Sequence, residues 1–288
     1  MNENSIKRKI GIVTDTASDL TNEIYEEKNI ELIPYYVNID GTDYLSGRDI
    51  EVKELFDYAD VHKTLPKTSQ ITPSRFETEF KNLLEKYEDI VFICLGSGFS
   101  GTCSNAEMVS EEIGNGHIYV VDSKNLSSGL GLLVLKACKL RDEGKSALEI
   151  KTEIDRCVPL VRSQFIMNTL TYMNYGGRCS GVTRLFGTIL RIKPLIKVAN
   201  NQMIVARKPI GNFDKARDVL LQEFKNDLPN IDLENVMITH ALAPEDAQII
   251  RNEIKLLTNV KNLYETPTGV IVSTHCGPRT IGILYILK

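Results

Sequence analysis

Gly96-Ser97-Gly98-Phe99-Ser100-Gly101-Thr102 is the stretch from which the fold and a binding site can be predicted. It follows an apolar run of strand length at 90–95 and precedes residues 103–108, which can form a helix. This layout gathers free backbone N–H groups at a helix N-terminus, where an anion is favoured. The loop alone leaves open whether that anion is a phosphate, a carboxylate or a reaction oxyanion. An ordinary tight turn with a helix cap would use the same residue types.

The composition of the 288-residue chain is that of a globular protein of one large or two ordinary domains, with 42% hydrophobic and 25% charged residues. The net charge of −4 and the lack of a lysine or arginine block argue against nucleic acid as a partner. No apolar run reaches the roughly 18 residues of a membrane span, so stable membrane insertion is not expected. The polar N-terminus shows no signal peptide, and we expect a cytoplasmic protein.

The cysteines and histidines give no metal signature. The chain has six cysteines, none in a C-x-x-C pair, and four histidines without metal-ligand spacing. We therefore expect reduced, mostly buried thiols and neither a metal nor another cofactor.

Strands alternate with helices in the first half of the chain. Strands are predicted at 9–14, 30–39, 90–95 and 117–121, with helices from about residue 21 and over 52–60, 73–87, 127–140 and 146–158. This order predicts a parallel, doubly wound sheet in a first domain, residues 1–160. The segment 127–140 is apolar most of the way round, so we expect a buried helix.

The second half of the chain has a different pattern of predicted elements. Short strands at 165–167, 194–198, 203–206, 236–240, 263–265, 270–273 and 281–287 accompany helices at 170–178, 183–190, 214–224 and 244–256. Asn200-Asn201 joins two of the strands as a hairpin. A hairpin and paired late strands predict a mixed sheet with helices in a second α/β domain, residues 161–288.

A second polar loop precedes a strong helix start. Thr68-Ser69-Gln70 feeds the helix that begins with Thr72 as N-cap and Pro73 at its first position. The loop is rich in hydrogen-bonding groups that suit a ligand. Local turn and cap bonding would need the same groups.

Five motifs, spaced over almost the full length, resemble in their order those of the DegV family of bacterial fatty-acid-binding proteins. They are Thr68-Ser69-Gln70, Ser97 to Thr102, Leu170 to Met173 with Gly176-Gly177-Arg178, Ile192 to Leu195, and His275-Cys276-Gly277-Pro278. The opening segment 12–20 fits the same family.

The resemblance implies two α/β domains with one long-chain fatty acid in a buried tunnel between them. It also implies the role of the lipid-carrying subunit of fatty acid kinase. In that role the protein is not itself an enzyme and presents the bound carboxylate to a separate, ATP-dependent kinase subunit, which forms an acyl phosphate.

Several groups can satisfy a buried carboxylate, which would otherwise cost much of the free energy gained from the acyl chain. The candidates are the hydroxyls of Thr68, Ser69, Ser97 and Ser100, the backbone N–H groups of Gly101 and Thr102, the imidazole of His275 and the guanidinium of Arg178. A histidine after an apolar strand is also typical of a structural partner, and an arginine after two glycines is typical of a solvated helix end.

Three positions depart from the family's motifs. Ile71 stands in place of a proline, Cys179 in place of an apolar residue and Arg279 in place of a second glycine. The first is expected to change loop stiffness only. The arginine adds charge and bulk near His275, where it would affect the position of the headgroup.

Two enzyme classes compete with the binding role. A serine hydrolase could use Ser100 and His275 with an aspartate, but the second glycine of the G-x-S-x-G elbow is misplaced. A nucleotide or sugar-phosphate enzyme could use the central loop for phosphate, but the chain lacks G-x-x-x-x-G-K-[ST], and no G-x-G-x-x-G follows its first strand.

Overall fold

The computed structural model of the chain describes residues 8–176 and 192–288. Within these ranges the strands form three sheets, one of four parallel strands, one of six mixed strands and one of three antiparallel strands. The predicted fold class, one α/β unit on a parallel sheet and another on a mixed sheet, is confirmed.

The parallel sheet is doubly wound, as predicted. In spatial order its strands are β2 (Ile30–Ile33), β1 (Arg8–Asp15), β6 (Tyr87–Cys94) and β7 (Ile118–Asp122). One face is covered by α3 (Pro73–Lys86) and α4 (Thr102–Ile113), the other by α1 (Asn22–Glu27), α5 (Ser128–Asp142) and α6 (Ala147–Cys157). Because both faces are covered, the strands read as continuous apolar runs rather than as alternating ones.

The mixed sheet is formed by residues from Val161 onward. In spatial order its strands are β10 (Gln202–Arg207), β9 (Leu195–Ala199), β8 (Val161–Ile166), β13 (Thr280–Leu287), β11 (Ile231–Ala241) and β12 (Asn262–Pro267). Among the described strands of this sheet, β11 and β12 pair in parallel and the other neighbours pair antiparallel. Helices α8 (Phe213–Asp227) and α9 (Pro244–Leu257) pack on one of its faces.

Helix α5 packs against both sheets. Its residues Leu130, Leu133 and Val134 are fully buried and share one apolar cluster with Ile12 of β1 and Leu284 of β13. Burial on most of its circumference explains why its sequence carries no amphipathic pattern. The division of the chain at residue 160 stays a prediction, because this helix precedes residue 160 and belongs to both packing layers.

The predicted strand 30–39 is wrong as one element. It is divided into β2 and β3 (Tyr36–Ile39), which belong to different sheets. Pro34 lies at the break, where its missing N–H cannot join a ladder. The small antiparallel sheet has the order β4 (Thr42–Leu45), β3 and β5 (Lys67–Ser69), and α2 (Val52–His62) connects β4 to β5.

Two further predictions are corrected. Thr68 and Ser69 lie in strand β5 and not in a loop, with Ser69 opposite Tyr36 in the register. The predicted strand 270–273 belongs to a helix, α10 (Val270–Cys276). His275 therefore lies in the last turn of a helix rather than after a strand.

The short helix predicted at 170–178 corresponds to α7 (Thr171–Gly176). The predicted helix 183–190, together with Gly177, Arg178 and Cys179, lies outside the described residues. In the part of the chain that is described, no helix is long and apolar enough to cross a membrane.

Candidate functional site

A cavity lies between the parallel sheet and the face of the mixed sheet that α8 and α9 leave uncovered. It contains about 960 Å³ of empty space, including the part that is open to solvent. Its apolar lining consists of Ala17, Leu95, Phe99, Leu126, Phe165, Met173, Met203, Ile271, Val272, Cys276, Gly282 and Leu284. Its polar lining consists of Tyr35, Thr68, Ser69, Gln70, Ser100, Ser127, Thr239, Thr268, His275 and Thr280.

The topology of the parallel sheet explains the position of this cavity. The connection after β1 runs to α1 on one face of the sheet, and the connection after β6 runs to α4 on the other face. A crevice therefore opens beyond the carboxyl ends of these two neighbouring strands, as in other doubly wound sheets. Ala17 comes from the first connection, and Leu95, Phe99 and Ser100 come from the second.

Thr68 and His275 meet at the polar part of the cavity. The hydroxyl oxygen Oγ1 of Thr68 lies 3.5 Å from Nε2 of His275. Thr68 is half-buried, while the neighbouring Ser69 and Gln70 are exposed, so this part of the lining is close to solvent. Strand β5 and the last turn of α10 thus bring two of the predicted site residues together.

Ser100 is the fourth predicted residue in this lining, after Thr68, Ser69 and His275, and its hydroxyl belongs to a hydrogen-bond network. Thr102 Oγ1 accepts hydrogen bonds from the Tyr35 hydroxyl, at 2.9 Å, and from the N–H of Ile71, at 3.3 Å. Its own hydrogen can then go to Ser100 Oγ, 2.9 Å away, which also accepts from the N–H of Thr102 at 3.2 Å. With two acceptor positions occupied, the Ser100 hydroxyl hydrogen can go to the neighbouring Tyr35 hydroxyl or to a ligand in the cavity.

Gly101 and Thr102, the two predicted backbone donors of the central loop, have structural contacts in place of a contact with the cavity. The N–H of Thr102 is occupied by Ser100 Oγ, and the Thr102 side chain is fully buried. Gly101 is the N-cap of α4, and a Cβ atom there would lie 2.0 Å from the Gln70 side chain. The Gln70 side chain therefore lies directly against Gly101 at the start of α4.

Ser97 is exposed and does not belong to the cavity lining. Its hydroxyl donates to Asp122 at 2.6 Å and accepts from the Asn201 amide at 2.7 Å. A Cβ atom on the adjacent Gly98 would lie 1.9 Å from the carbonyl oxygen of Asn201. Ser97 and Gly98 therefore pack against the β9–β10 hairpin and connect the central loop to the mixed sheet.

Two buried acids near the cavity were not predicted as functional. Burial raises the pKa of Asp15 to about 7 and the pKa of Asp19 to about 8. Asp15 accepts from the N–H groups of Ala17 and Leu95, and Asp19 accepts from the Ser127 hydroxyl and from the N–H of Gly269 at 2.8 Å. The signal in the sequence is an aspartate directly after an apolar strand, followed by a second acid four positions later.

Arg279, one of the departures from the family motifs, points away from the polar lining. Its guanidinium binds Asp246, with Nε 2.9 Å from a carboxylate oxygen, and stacks over the Phe213 ring at 4.4 Å from the centroid. The expected crowding of the headgroup position by its charge does not follow from this geometry.

Among the residues that the structure describes, no group of three or more His, Cys, Asp or Glu side chains could hold a metal ion. Over the same ranges the cysteines are buried free thiols, as expected: Cys94, Cys103, Cys138, Cys157 and Cys276. The Arg178 prediction concerns a residue outside these ranges.

Solved structures of similar fold extend over nearly the whole chain. A fatty-acid-binding DegV family protein of Thermus thermophilus superposes with a TM-score of 0.89 at 27% identity, covering 97% of this chain and 100% of that one. A DegV lipid-binding protein of Thermotoga maritima superposes with a TM-score of 0.83 at 26% identity, with 97% and 98% covered.

Sequence relatives cover the chain equally well. A DegV domain-containing protein of Clostridium acetobutylicum is 36% identical over 280 residues, which is 97% of this chain and 99% of that protein. The family described as "Uncharacterised protein, DegV family" matches residues 9–288. This chain therefore belongs to the DegV family.

Proposed function

We propose that this protein binds one long-chain fatty acid in the cavity between its two sheets. The observation that carries the proposal is a largely apolar cavity in which Thr68 and His275 come together and Ser100 belongs to the same lining. The fatty-acid-binding relative of Thermus thermophilus has the same fold over its full length.

The free energy of such binding would come mostly from the acyl chain. Each buried CH₂ group contributes about 0.8 kcal/mol before the costs of ordering the ligand. An unpaired carboxylate would cancel much of this gain, so its oxygens need donors. We assign that role to Thr68, Ser69, Ser100 and His275, which line the cavity.

The other predicted site residues receive different roles in this proposal. Ser97, Gly101 and Thr102 hold the shape of the central loop through their contacts with Asn201, Gln70 and Tyr35. Arg178 stays a predicted contact of the headgroup or of a partner subunit.

A finer proposal concerns a partner. The donors lie beside exposed residues Ser69 and Gln70, so a carboxylate held there would lie close to solvent. We infer that an ATP-dependent kinase subunit phosphorylates it at this position. A carboxylate oxygen would attack the γ-phosphorus, ADP would leave, and an acyl phosphate would form. The chain would bind and orient the carboxylate, without a cofactor, in the cytoplasm where ATP is available.

The serine hydrolase alternative receives no support from the geometry. Ser100 Oγ contacts Thr102 and is a hydrogen-bonding neighbour of Tyr35, whereas His275 Nε2 lies next to Thr68. A nucleophilic serine needs its base within hydrogen-bonding reach of the hydroxyl.

Mass spectrometry of an organic extract of the purified protein tests the binding proposal directly. We expect a fatty acid in the extract, and titration of the delipidated protein should restore binding in a one-to-one ratio. Failure of a range of saturated and unsaturated fatty acids to bind would refute it. For the kinase role, the pure protein incubated with ATP and fatty acid should form no acyl phosphate until a kinase subunit is added.

A further inference from the structure

Asp19 lies next to the cavity lining, at the end of the short turn that follows β1. It is 4% exposed and is not among the residues that line the cavity. Its carboxylate oxygen Oδ2 accepts a hydrogen bond from the Ser127 hydroxyl at 2.5 Å, and Oδ1 accepts from the N–H of Gly269 at 2.8 Å. These partners lie 108 and 250 positions further along the chain, so a single carboxyl group connects three distant segments.

Both partners of Asp19 are N-cap residues of helices that form walls of the cavity. Ser127 is the N-cap of α5 and lines the cavity itself. Gly269 is the N-cap of α10, whose residues Val272 and His275 belong to the lining. The Asp19 carboxyl group therefore holds the start of one wall against the start of the other.

Helix α10 depends on such contacts for its position. It has seven residues, and a helix of that length is marginal by itself. Its N-cap residue is a glycine, which has no side chain to accept from the first turn. A Cβ atom on Gly269 would lie 3.1 Å from Asp19 Oδ1, so the carboxyl group lies directly against this end of the helix. His275 belongs to the last turn of the same helix, so a displacement of the helix would also displace its imidazole.

The contact between His275 and Thr68 is sensitive to such a displacement. The 3.5 Å between Nε2 and Oγ1 is at the outer limit of a hydrogen bond. Thr68 and Asp19 both belong to the first half of the chain, whereas α10 belongs to the second. Asp19 thus connects α10 to the half of the chain that supplies Thr68. Without this connection, two donors that the proposed function assigns to one carboxylate would be free to separate.

The backbone at Ser127 also depends on this carboxyl group. Ser127 has a positive φ of 54° with ψ at −148°, a conformation that residues with a side chain rarely adopt. Such conformations persist where surrounding contacts hold them, and they are concentrated at functional sites. The hydrogen bond to Asp19 is a contact of this kind. It also engages the hydroxyl hydrogen of Ser127, so that hydrogen does not serve the headgroup.

We propose that Asp19 is a positioning residue of the fatty acid site, which joins the N-termini of α5 and α10 and thereby keeps His275 beside Thr68. This inference rests on the proposed function, because it concerns the headgroup donors of that same ligand. In this role Asp19 does not touch the fatty acid and acts through His275. Its removal should therefore lower the affinity only where His275 is present.

The test is a double-mutant cycle on the delipidated protein. Asp19→Gly removes the carboxyl group and suits the positive φ of 51° at this position. Affinity for oleate is measured by calorimetric titration in the unaltered protein, in Asp19→Gly, in His275→Ala and in the variant with both changes. We expect Asp19→Gly to bind about tenfold more weakly than the unaltered protein. In the His275→Ala background the same change should cost less than about twofold, because residues that act through one contact are not additive.

Two further variants separate positioning from general stability. Asp246→Ala removes another carboxyl group that is 4% exposed, and its partners Arg217 and Arg279 do not line the cavity. It should lower the free energy of unfolding and leave oleate affinity within about twofold. Asp19→Asn keeps an acceptor for the N–H of Gly269, so it should retain most of the affinity that Asp19→Gly loses.

Thermal unfolding checks that each variant is folded. If Asp19→Gly does not fold, Ser127→Ala takes its place in the cycle, because it removes the hydroxyl partner of the same carboxyl group. A loss of oleate affinity that disappears in the His275→Ala background is again expected.

The outcomes separate the two proposals. An equal loss of affinity with and without His275, or no loss in either background, would overturn the positioning role while leaving fatty acid binding intact. The same conclusion would follow if Asp19→Asn bound as weakly as Asp19→Gly, or if Asp246→Ala lost as much affinity. Absence of oleate binding by the unaltered protein would instead refute the proposed function.

Discussion

The imidazole Nε2 of His275 lies 3.5 Å from the hydroxyl oxygen of Thr68, although the two residues are 207 positions apart. Thr68 belongs to the small sheet that follows the first strands, and His275 to a helix that leads into the last strand. The donors of the cavity are therefore assembled by packing the two halves of the chain together. A substitution on either side of the contact should affect the same ligand group.

Replacement of Thr68 by valine removes one hydroxyl at nearly constant volume. We expect fatty acid affinity to fall by about 1–3 kcal/mol, because a carboxylate oxygen of the ligand loses a donor. Fluorescence titration with a labelled fatty acid measures the change. Thr64→Val is the matched control, since Thr64 is exposed just before the same strand and does not line the cavity. Equal affinities of the two variants would remove Thr68 from the site.

Alanine substitutions at the two serines of the central loop should have different effects on fatty acid binding and on stability. Ser100→Ala is expected to weaken binding, because Ser100 lines the cavity and its hydroxyl can donate to a ligand. Ser97→Ala should leave the affinity nearly unchanged and lower the free energy of unfolding by about 1 kcal/mol, because it loses its bonds to Asp122 and Asn201. Parallel titrations and thermal unfolding of both variants test this division. A larger loss of affinity in Ser97→Ala than in Ser100→Ala would contradict it.

A larger side chain in the apolar lining should discriminate between ligands by length. Val272 lies on α10 and lines the cavity. We expect Val272→Phe to weaken binding of stearate much more than binding of decanoate, because a longer acyl chain needs more of the empty volume. Competition titrations with both acids measure the ratio. Val61→Phe, on the exposed end of α2, should leave the ratio unchanged. If stearate and decanoate were affected equally, the acyl chain would not pass Val272.

Much of the fold could be predicted from local patterns, and the failures have physical causes. Residues 90–95 and 117–121 were recognisable because strands covered on both faces are uniformly apolar. The segment from Val270 was predicted as a strand because three consecutive branched residues favour one. It is helical because Gly269 supplies the N-cap, with its own N–H bound to Asp19 from the other half of the chain. A contact between residues 250 positions apart produces no pattern in the local sequence from which it could be predicted.

The candidate site shows the same limit. The hydroxyl-rich segments containing Thr68 and Ser100 could be found from residue type and position, and both line the cavity. The different placement of Ser97 depends on Asn201, which lies 104 positions away. Likewise, the acids Asp15 and Asp19 look like ordinary turn residues until burial on all sides is known.

Stability should depend on pH through Asp19. Burial raises the folded-state pKa of this carboxyl to about 8, whereas its ordinary value is 3.8. Between these values the folded protein holds a proton that the unfolded chain has lost, so the free energy of unfolding falls as pH rises through this window. The slope from this group is at most about 1.4 kcal/mol per pH unit.

Denaturant unfolding at pH 6, 7 and 8 measures that slope. Asp19→Asn keeps an acceptor for the N–H of Gly269 but cannot ionise, so its slope over the same range should be smaller. An unchanged slope would show that Asp19 does not titrate differently in the folded and unfolded states.

The backbone at Arg279 provides the sharpest test of a departure from the family pattern. Arg279 has a positive φ of 57°, a conformation in which glycine is favoured over residues with a side chain. The arginine is nevertheless held by Asp246 and by the Phe213 ring. Because its side chain points away from the polar lining, neither Arg279→Gly nor Arg279→Ala should change fatty acid affinity by more than about twofold.

The stabilities of these two variants should differ. Both lose the ion pair and the contact with Phe213, but only Arg279→Gly relieves the backbone strain. We therefore expect the glycine variant to be more stable than the alanine variant by about 1 kcal/mol. Thermal and denaturant unfolding compare them, with the unaltered protein as reference. If the alanine variant were as stable as the glycine variant, the positive φ at position 279 would not strain the backbone. If either variant had a severalfold higher affinity for fatty acid than the unaltered protein, Arg279 would affect the position of the headgroup.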